Sequence, residues 1–153
     1  MIGNYNNMKR ILSLITALAL AFTFSMCTSG TEQIPGKSYW KVTKMYYNNT
    51  EVALPAEQIS EMFFINNMDI SGLCGCNNFF ASYWAVAEKG SINIEPKMRT
   101  RKMCPDMNYE ENFIDNLSKA ARYKLNGEKM TIKDKENNIL FELERTEINR
   151  DQF

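Results

Sequence analysis

Cysteine is the chemically distinctive residue of this chain, because its 153 residues include four cysteines and no histidine. Without an imidazole the chain cannot build Ser-His-Asp or Cys-His nucleophile systems, nor the usual imidazole metal sites. Basic and acidic residues are equal in number, at 18 each, so no basic stripe favours nucleic acid. We therefore expect a protein that is not an enzyme, with no cofactor and no nucleic-acid partner.

The first cysteine, Cys27, follows a segment typical of an export signal. Two basic residues precede an uncharged apolar run over residues 11–26, and this run is shorter than the roughly 20 residues of a membrane-spanning helix. A cysteine at the end of such a run resembles the acylation site of bacterial lipoproteins, although Phe24 and Met26 stand where leucine and a small residue are usual. We expect residues 1–26 to be a signal peptide and the acyl chains on Cys27 to anchor the protein to a membrane.

The mature chain divides into a tether, a domain and a tail. Removal of the signal peptide leaves 127 residues with a net charge of −2, because that segment holds two basic residues and no acidic one. We expect a flexible tether over residues 27–36, which are polar and rich in turn formers, a folded domain over 37–145 and a frayed tail over 146–153. The predicted product is a monomer in the cell envelope, at the outer membrane on its periplasmic or surface side. If Cys27 is not acylated, the protein is periplasmic or secreted.

The other three cysteines lie in an exported, oxidising context that favours disulfides. In a strand Cys74 and Cys76 would point to the same face, so either could approach Cys104. One thiol is then left over, as a buried spectator, a partner in disulfide exchange, or a ligand or redox residue. A zinc site would need Asp106 as fourth ligand and has an unusual spacing, so no metal is expected.

A mostly two-residue hydrophobic period predicts that strands position these cysteines. One amphipathic helix is predicted from an N-cap at Asn108 to Arg122, with Glu110 and Glu111 placed where the helix dipole favours negative charge. We expect a small α+β, barrel-like domain of seven or eight antiparallel strands plus that helix. The predicted strands are 39–47, 62–66, 69–73, 79–86, 91–95, 123–125, 130–132 and 139–143.

Two local motifs carry a family resemblance. The first comprises Gly75, Cys76, Asn77, Phe79 and Tyr83; the second comprises Thr100, Arg101, Met103 and Cys104, followed by Glu111 at the start of a helix. Together they resemble the META domain family, whose members include HslJ-like lipoproteins, over residues 37–145. The chain departs from the family pattern at Cys74.

The resemblance implies a β-rich, lipid-anchored envelope protein without catalytic residues, linked to envelope or antibiotic stress. It also selects the Cys76–Cys104 disulfide and leaves Cys74 as the possible free or reactive thiol. A similarity of fold to secretion-pilot lipoproteins suggests an alternative, a binder of lipid or of a small apolar ligand, which requires an apolar cavity beneath the helix. A second alternative is a thiol redox protein that acts through Cys74 and Cys76.

Two surface features suggest contacts with partners. The aromatic residues Phe79, Phe80, Tyr83 and Trp84 divide between the two faces of one strand, so one pair is expected outside, as a surface for an envelope protein or lipid. The second feature is the basic cluster of Arg99, Arg101 and Lys102, which fits a contact with anionic lipid or lipopolysaccharide; we prefer its interpretation as a solvated loop.

Overall fold

Alternating burial along the strands sorts their side chains into an inner and an outer set. In the computed structural model, which describes residues 31–56 and 58–147, alternate residues of the first strand, Ser38, Trp40 and Val42, point inward. The nine strands are β1 (Ser38–Tyr47), β2 (Thr50–Val52), β3 (Glu61–Phe64), β4 (Asp69–Cys74), β5 (Asn77–Val86), β6 (Ser91–Arg99), β7 (Arg122–Asn126), β8 (Lys129–Lys133) and β9 (Ile139–Thr146). The helix α1 (Met107–Lys119) connects β6 to β7.

The strands form one antiparallel sheet that closes on itself. Its order is β2-β1-β3-β4-β5-β6-β7-β8-β9, and pairing of β1 with β9 completes an eight-stranded barrel with β2 attached to β1. The pairing of β6 with β7 is the shortest between neighbouring strands, because it aligns only Ser91 with Arg122. The predicted α+β barrel with one helix is confirmed.

The helix bounds differ from those predicted. The N-cap is Asp106, whose Oδ1 accepts a hydrogen bond from the Tyr109 amide at 3.0 Å, and not Asn108. The helix ends at Lys119, because Ala120 adopts an extended ψ of 125° and Ala121 N donates to Lys133 O at 2.8 Å. Pairing with the sheet thus overrides the helical pattern that continued to Arg122, which is instead the first residue of β7.

Aromatic side chains join the helix to the barrel interior. Phe113 of α1 is fully buried, and its ring centre lies 5.5 Å from that of Phe79 and 4.9 Å from that of Phe141. Leu117, one turn further along, is also fully buried. The helix therefore completes the hydrophobic core, and burial of its apolar face holds it in place.

The segment predicted as a flexible tether is part of the fold from Thr31 onward. Thr31 N donates to Ala87 O at 3.0 Å, and the Thr31 hydroxyl accepts from Leu125 N at 2.6 Å. Ile34 is 2% exposed and belongs to the core. The tether prediction is therefore wrong for residues 31–36, because these contacts connect them to Ala87, directly after β5, and to β7.

The C-terminal boundary is also later than predicted, since Thr146 pairs with Tyr39 and ends β9. The predicted signal peptide, the anchor at Cys27 and most of the predicted tail lie outside the described residues. Within 31–56 and 58–147, no helix is long and apolar enough to cross a membrane.

Candidate functional site

The turn between β4 and β5 places the first motif at one end of the barrel. Gly75 has a φ of +71°, a left-handed conformation that glycine adopts without strain. Its amide faces the Ser60 hydroxyl at 3.4 Å, and the same hydroxyl accepts from Tyr109 Oη of α1 at 2.7 Å. The Ser60 hydroxyl thus connects α1 to this turn at Gly75, the residue directly before Cys76 and Asn77.

Asn77 is fully buried and uses both ends of its side-chain amide. Its Nδ2 donates to the Glu110 carboxylate and, at 2.9 Å, to Lys102 O. Its Oδ1 accepts from the Thr100 hydroxyl at 2.6 Å and from Lys102 N at 2.8 Å. One side chain therefore joins β5, the segment after β6 and the helix, and its hydrogen-bonding capacity is fully used.

Glu110 is the acidic partner of this buried group. Its side chain is 2% exposed, and its Oε1 lies 3.0 Å from Arg99 Nη1, whereas Oε2 accepts from Asn77. Arg99 is 34% exposed, so the pair extends from the interior to the surface. Both carboxylate oxygens are occupied by donors, which offsets the cost of removing the charge from water.

A disulfide covers one side of this network. Cys76 and Cys104 are bonded, with a Cα–Cα distance of 5.8 Å, so the pairing implied by the family resemblance is present. Cys104 Sγ lies 3.1 Å from Asn77 Nδ2 and 3.4 Å from Glu110 Oε2. A disulfide sulfur has no proton to donate, so its approach to Glu110 is a packing contact. We name the group of Asn77, Arg99, Glu110 and the disulfide the buried clamp.

The remaining cysteine lies inside the barrel. Cys74 is unpaired and fully buried, and its thiol donates to Asn77 O at 3.4 Å. Burial raises the pKa of the Cys74 thiol to about 12, and the negative charge of Glu110 acts in the same direction. A buried, protonated thiol is a poor nucleophile, and Cys76 is held in the disulfide, so the geometry opposes redox chemistry at these two residues.

The space beneath the helix is filled by side chains. Tyr109, Phe113 and Leu117 project from α1 into the core, and each is at most 1% exposed. A groove of about 440 Å³ beside the helix lies on the outer side, lined by Pro96, Lys97, Met98, Arg99, Arg101 and Ile114. The described core therefore gives no support to the apolar cavity that a lipid carrier requires.

The structure brings only some of the motif residues together. Gly75, Cys76, Asn77, Thr100 and Cys104 meet at the buried clamp, and Phe79 and Tyr83 point into the core. Arg101, Met103 and Glu111 are exposed, and Met103 is 97% exposed.

Sequence reasoning missed the two charged members of the clamp. Glu110, and not the predicted Glu111, is the acidic residue that contacts the motifs, and Arg99 is its ion-pair partner and not part of a solvated loop. A usable signal was the helix N-cap: with Asp106 as N-cap, the buried positions Tyr109, Glu110 and Phe113 share one face.

A row of mostly apolar side chains lies across neighbouring strands on the outer surface of the barrel, near the second motif. Cross-strand pairing aligns Tyr39, Phe63, Ser71, Phe80 and Met98 on five neighbouring strands. The Tyr39 and Phe63 rings stack with centres 4.0 Å apart, and Met98 is 68% exposed. We name these five residues the outer apolar row, in which Ser71 is a small polar member. As predicted, the aromatic residues of β5 divide between faces, with Phe79 and Tyr83 inside and Phe80 and Trp84 outside.

Two solved structures resemble this fold. One is an NMR structure of a protein from Burkholderia xenovorans, with a TM-score of 0.59 and 16% identity, covering 74% of this chain and 84% of that one. The other is a crystal structure of a DUF4847 family protein from Bacteroides vulgatus, with a TM-score of 0.54 and 15% identity, covering 71% of this chain and 92% of that one. At these identities the likeness shows a shared fold.

No curated protein matches the chain. The family model of the META domain matches residues 31–147, a range that begins where Thr31 joins the barrel and ends just after β9. The match includes both motifs, the disulfide and every described strand and helix. The chain belongs to the META domain family.

Proposed function

We propose that this protein is a non-catalytic, monomeric META-domain lipoprotein of the cell envelope. In this proposal Cys27 is acylated and holds the domain at the outer membrane, and the domain binds an envelope protein during envelope or antibiotic stress. The buried residues of the family motifs support a structural role, because Asn77 accepts a hydrogen bond from Thr100 and Cys76 is bonded to Cys104.

One observation carries the proposal. The polar groups of the buried clamp are bonded to other groups of the protein, whereas the outer apolar row lies on the outer face of the barrel. In the described geometry Asn77 uses both ends of its amide, and each oxygen of the buried Glu110 carboxylate already faces a donor from the protein. The row instead places the half-buried aromatic ring of Phe80 and the exposed thioether of Met98 on the outer face, and both side-chain types are enriched where proteins bind one another.

A complementation experiment tests the binding role. In a strain that lacks the protein, the wild-type chain should restore growth under envelope stress, and the double variant Phe80→Ser/Met98→Ser should not. Lys124→Ser is the matched control, because Lys124 is exposed on β7, away from the row. Full restoration by the double variant at equal abundance would exclude the row as the functional surface.

The anchor is tested separately by metabolic labelling with a fatty acid. Wild-type protein and Cys74→Ser should incorporate the label, and Cys27→Ser should not, because Cys74 is buried within the barrel. Equal labelling of wild type and Cys27→Ser would show that the acylation site is wrong.

A further inference from the structure

The end of the barrel where the described chain begins carries exposed apolar residues. Thr31 N donates to Ala87 O at 3.0 Å, directly after β5. Near the end of the same strand, Trp84 is 60% exposed and Val86 is 38% exposed. Met68, which is 67% exposed, joins them because its carbonyl accepts from Tyr83 N at 2.7 Å. We name Met68, Trp84 and Val86 the entry-end patch.

We propose that the entry-end patch contacts the lipid bilayer to which the protein is anchored. This inference rests on the proposed acylation of Cys27. Only residues 28–30 separate Cys27 from Thr31, so the two Cα atoms are at most about 14 Å apart, whatever the conformation between them. A lipid anchor on Cys27 therefore holds this end of the barrel next to the membrane.

The geometry separates this end from the opposite one. Strand β5 has 10 residues and runs from Asn77 at the buried clamp to Val86 at the patch, a length of about 30 Å along the strand. Trp84 lies three residues before Ala87, within about 10 Å of it along the chain. The short connection consequently favours contact of the membrane with the patch and not with the far end.

The chemistry of the patch fits the interface between lipid head groups and acyl chains. Tryptophan is enriched at this depth, since its ring is apolar and its N–H remains hydrogen-bonded. Asp69 and Glu88 flank the patch beside Lys89, so attraction to anionic lipid is not the source of contact. We expect contact to be retained in neutral lipid and at high salt. Contact of the entry-end patch with the bilayer also restricts the domain to one orientation, in which the buried clamp is directed away from the bilayer.

Tryptophan fluorescence provides a direct test, because the chain has two tryptophans and Trp40 is fully buried. The full acylated protein is placed in vesicles of phosphatidylcholine, with or without bromine on the acyl chains. Brominated lipid should quench most of the Trp84 component, and Trp84→Phe should remove the quenchable signal. Emission from Trp84 that is unchanged by brominated lipid but quenched by aqueous acrylamide would overturn the inference.

Moving the fluorophore supplies matched controls. In the Trp84→Phe background, Met68→Trp should restore quenching by brominated lipid, whereas Met98→Trp, at a similarly exposed site of the outer apolar row, should not. Equal quenching at both positions would show that the domain has no fixed orientation and would also overturn the inference.

Intact mass and vesicle flotation of the same sample separate the two proposals. Protein that carries no acyl chain and does not float contradicts the proposed anchor, and the membrane contact that depends on it fails as well. Protein that is acylated and floats, but shows no quenching of Trp84, contradicts the membrane contact alone.

Discussion

Replacement of Asn77 by alanine should destabilise the domain strongly. The side chain is fully buried and joins Glu110, Lys102 and Thr100 through both ends of its amide. Asn77→Ala leaves the buried carboxylate oxygen of Glu110 and the part-buried backbone amide of Lys102 without this partner. Roughly 1 kcal/mol for each neutral hydrogen bond and about 2 for the bond to the carboxylate give a loss of about 3 to 5 kcal/mol.

Urea unfolding of the oxidised protein, followed by circular dichroism, measures this loss as a lower midpoint at an unchanged slope. Asn78→Ala is the matched control, because the Asn78 side chain is exposed and only backbone atoms of Asn78 contact Thr100: its amide donates to the Thr100 hydroxyl and its carbonyl accepts from Thr100 N. A change within about 0.5 kcal/mol is therefore expected. A folded Asn77→Ala variant that loses less than about 1 kcal/mol would refute the assignment of the amide as the centre of the clamp.

A charge variant at the same position tests the electrostatic part. Asn77→Asp places a second carboxylate beside Glu110, and two ionised carboxylates at this distance repel one another. One proton bound to the pair relieves the repulsion. The variant should therefore regain stability relative to wild type as the pH falls from 7 to 5. A stability difference that is constant over this range would show that the site is open enough for water to screen the charges.

The remaining predictions concern the cysteines, an alkaline transition and one glycine. Cys104→Ser should cost about 3.5 kcal/mol in urea unfolding, because it opens the loop closed by a disulfide with a sequence separation of 28, whereas Cys74→Ser should change stability little; equal effects would contradict this pairing. A maleimide should modify Cys74 only after unfolding, as measured by intact mass, and rapid modification of the native protein would revive the redox alternative. Burial raises the pKa of Cys74 from 9.0 and the pKa of Tyr109 from 10.0, both to about 12. The folding stability that depends on these protonated groups is therefore complete below pH 9, and the melting temperature should fall as the pH rises towards 12; Tyr109→Phe should remove part of this fall. Gly72→Ala should lower stability by about 1 to 3 kcal/mol, since an added Cβ would lie 2.0 Å from Glu61 O in the neighbouring strand, and unchanged stability would refute this steric account.

The strand pattern could be predicted from the sequence because it depends on local properties, whereas the Cys76–Cys104 pairing was implied by the family resemblance. Side chains alternate across a strand whatever its partner, which is why Phe79 and Tyr83 were separated correctly from Phe80 and Trp84. The helix ends were less accurate, since the hydrogen bond from Ala121 to Lys133 is a contact with β8 that no local pattern contains.

The candidate site depended more heavily on long-range contacts. Asn77 and Glu110 are separated by 33 positions, so nothing in the sequence around either residue specifies their hydrogen bond. Glu111 was the expected acidic residue because the family resemblance implied an acidic residue at the start of the helix, and the predicted N-cap was Asn108. The actual N-cap at Asp106 changes which positions face the barrel, and burial then selects Glu110.

The amino-acid sequence by itself therefore determined the family, the class of fold and the exclusion of histidine chemistry, since these follow from residue types and their local order. Tertiary structure decided which carboxylate is buried, which thiol is enclosed and which apolar side chains face solvent. The physical reason is long-range packing. Pairing of β1 with β9 closes the barrel and separates core from surface, and pairing of β5 with β6 beneath α1 makes Asn77, Arg99 and Glu110 neighbours.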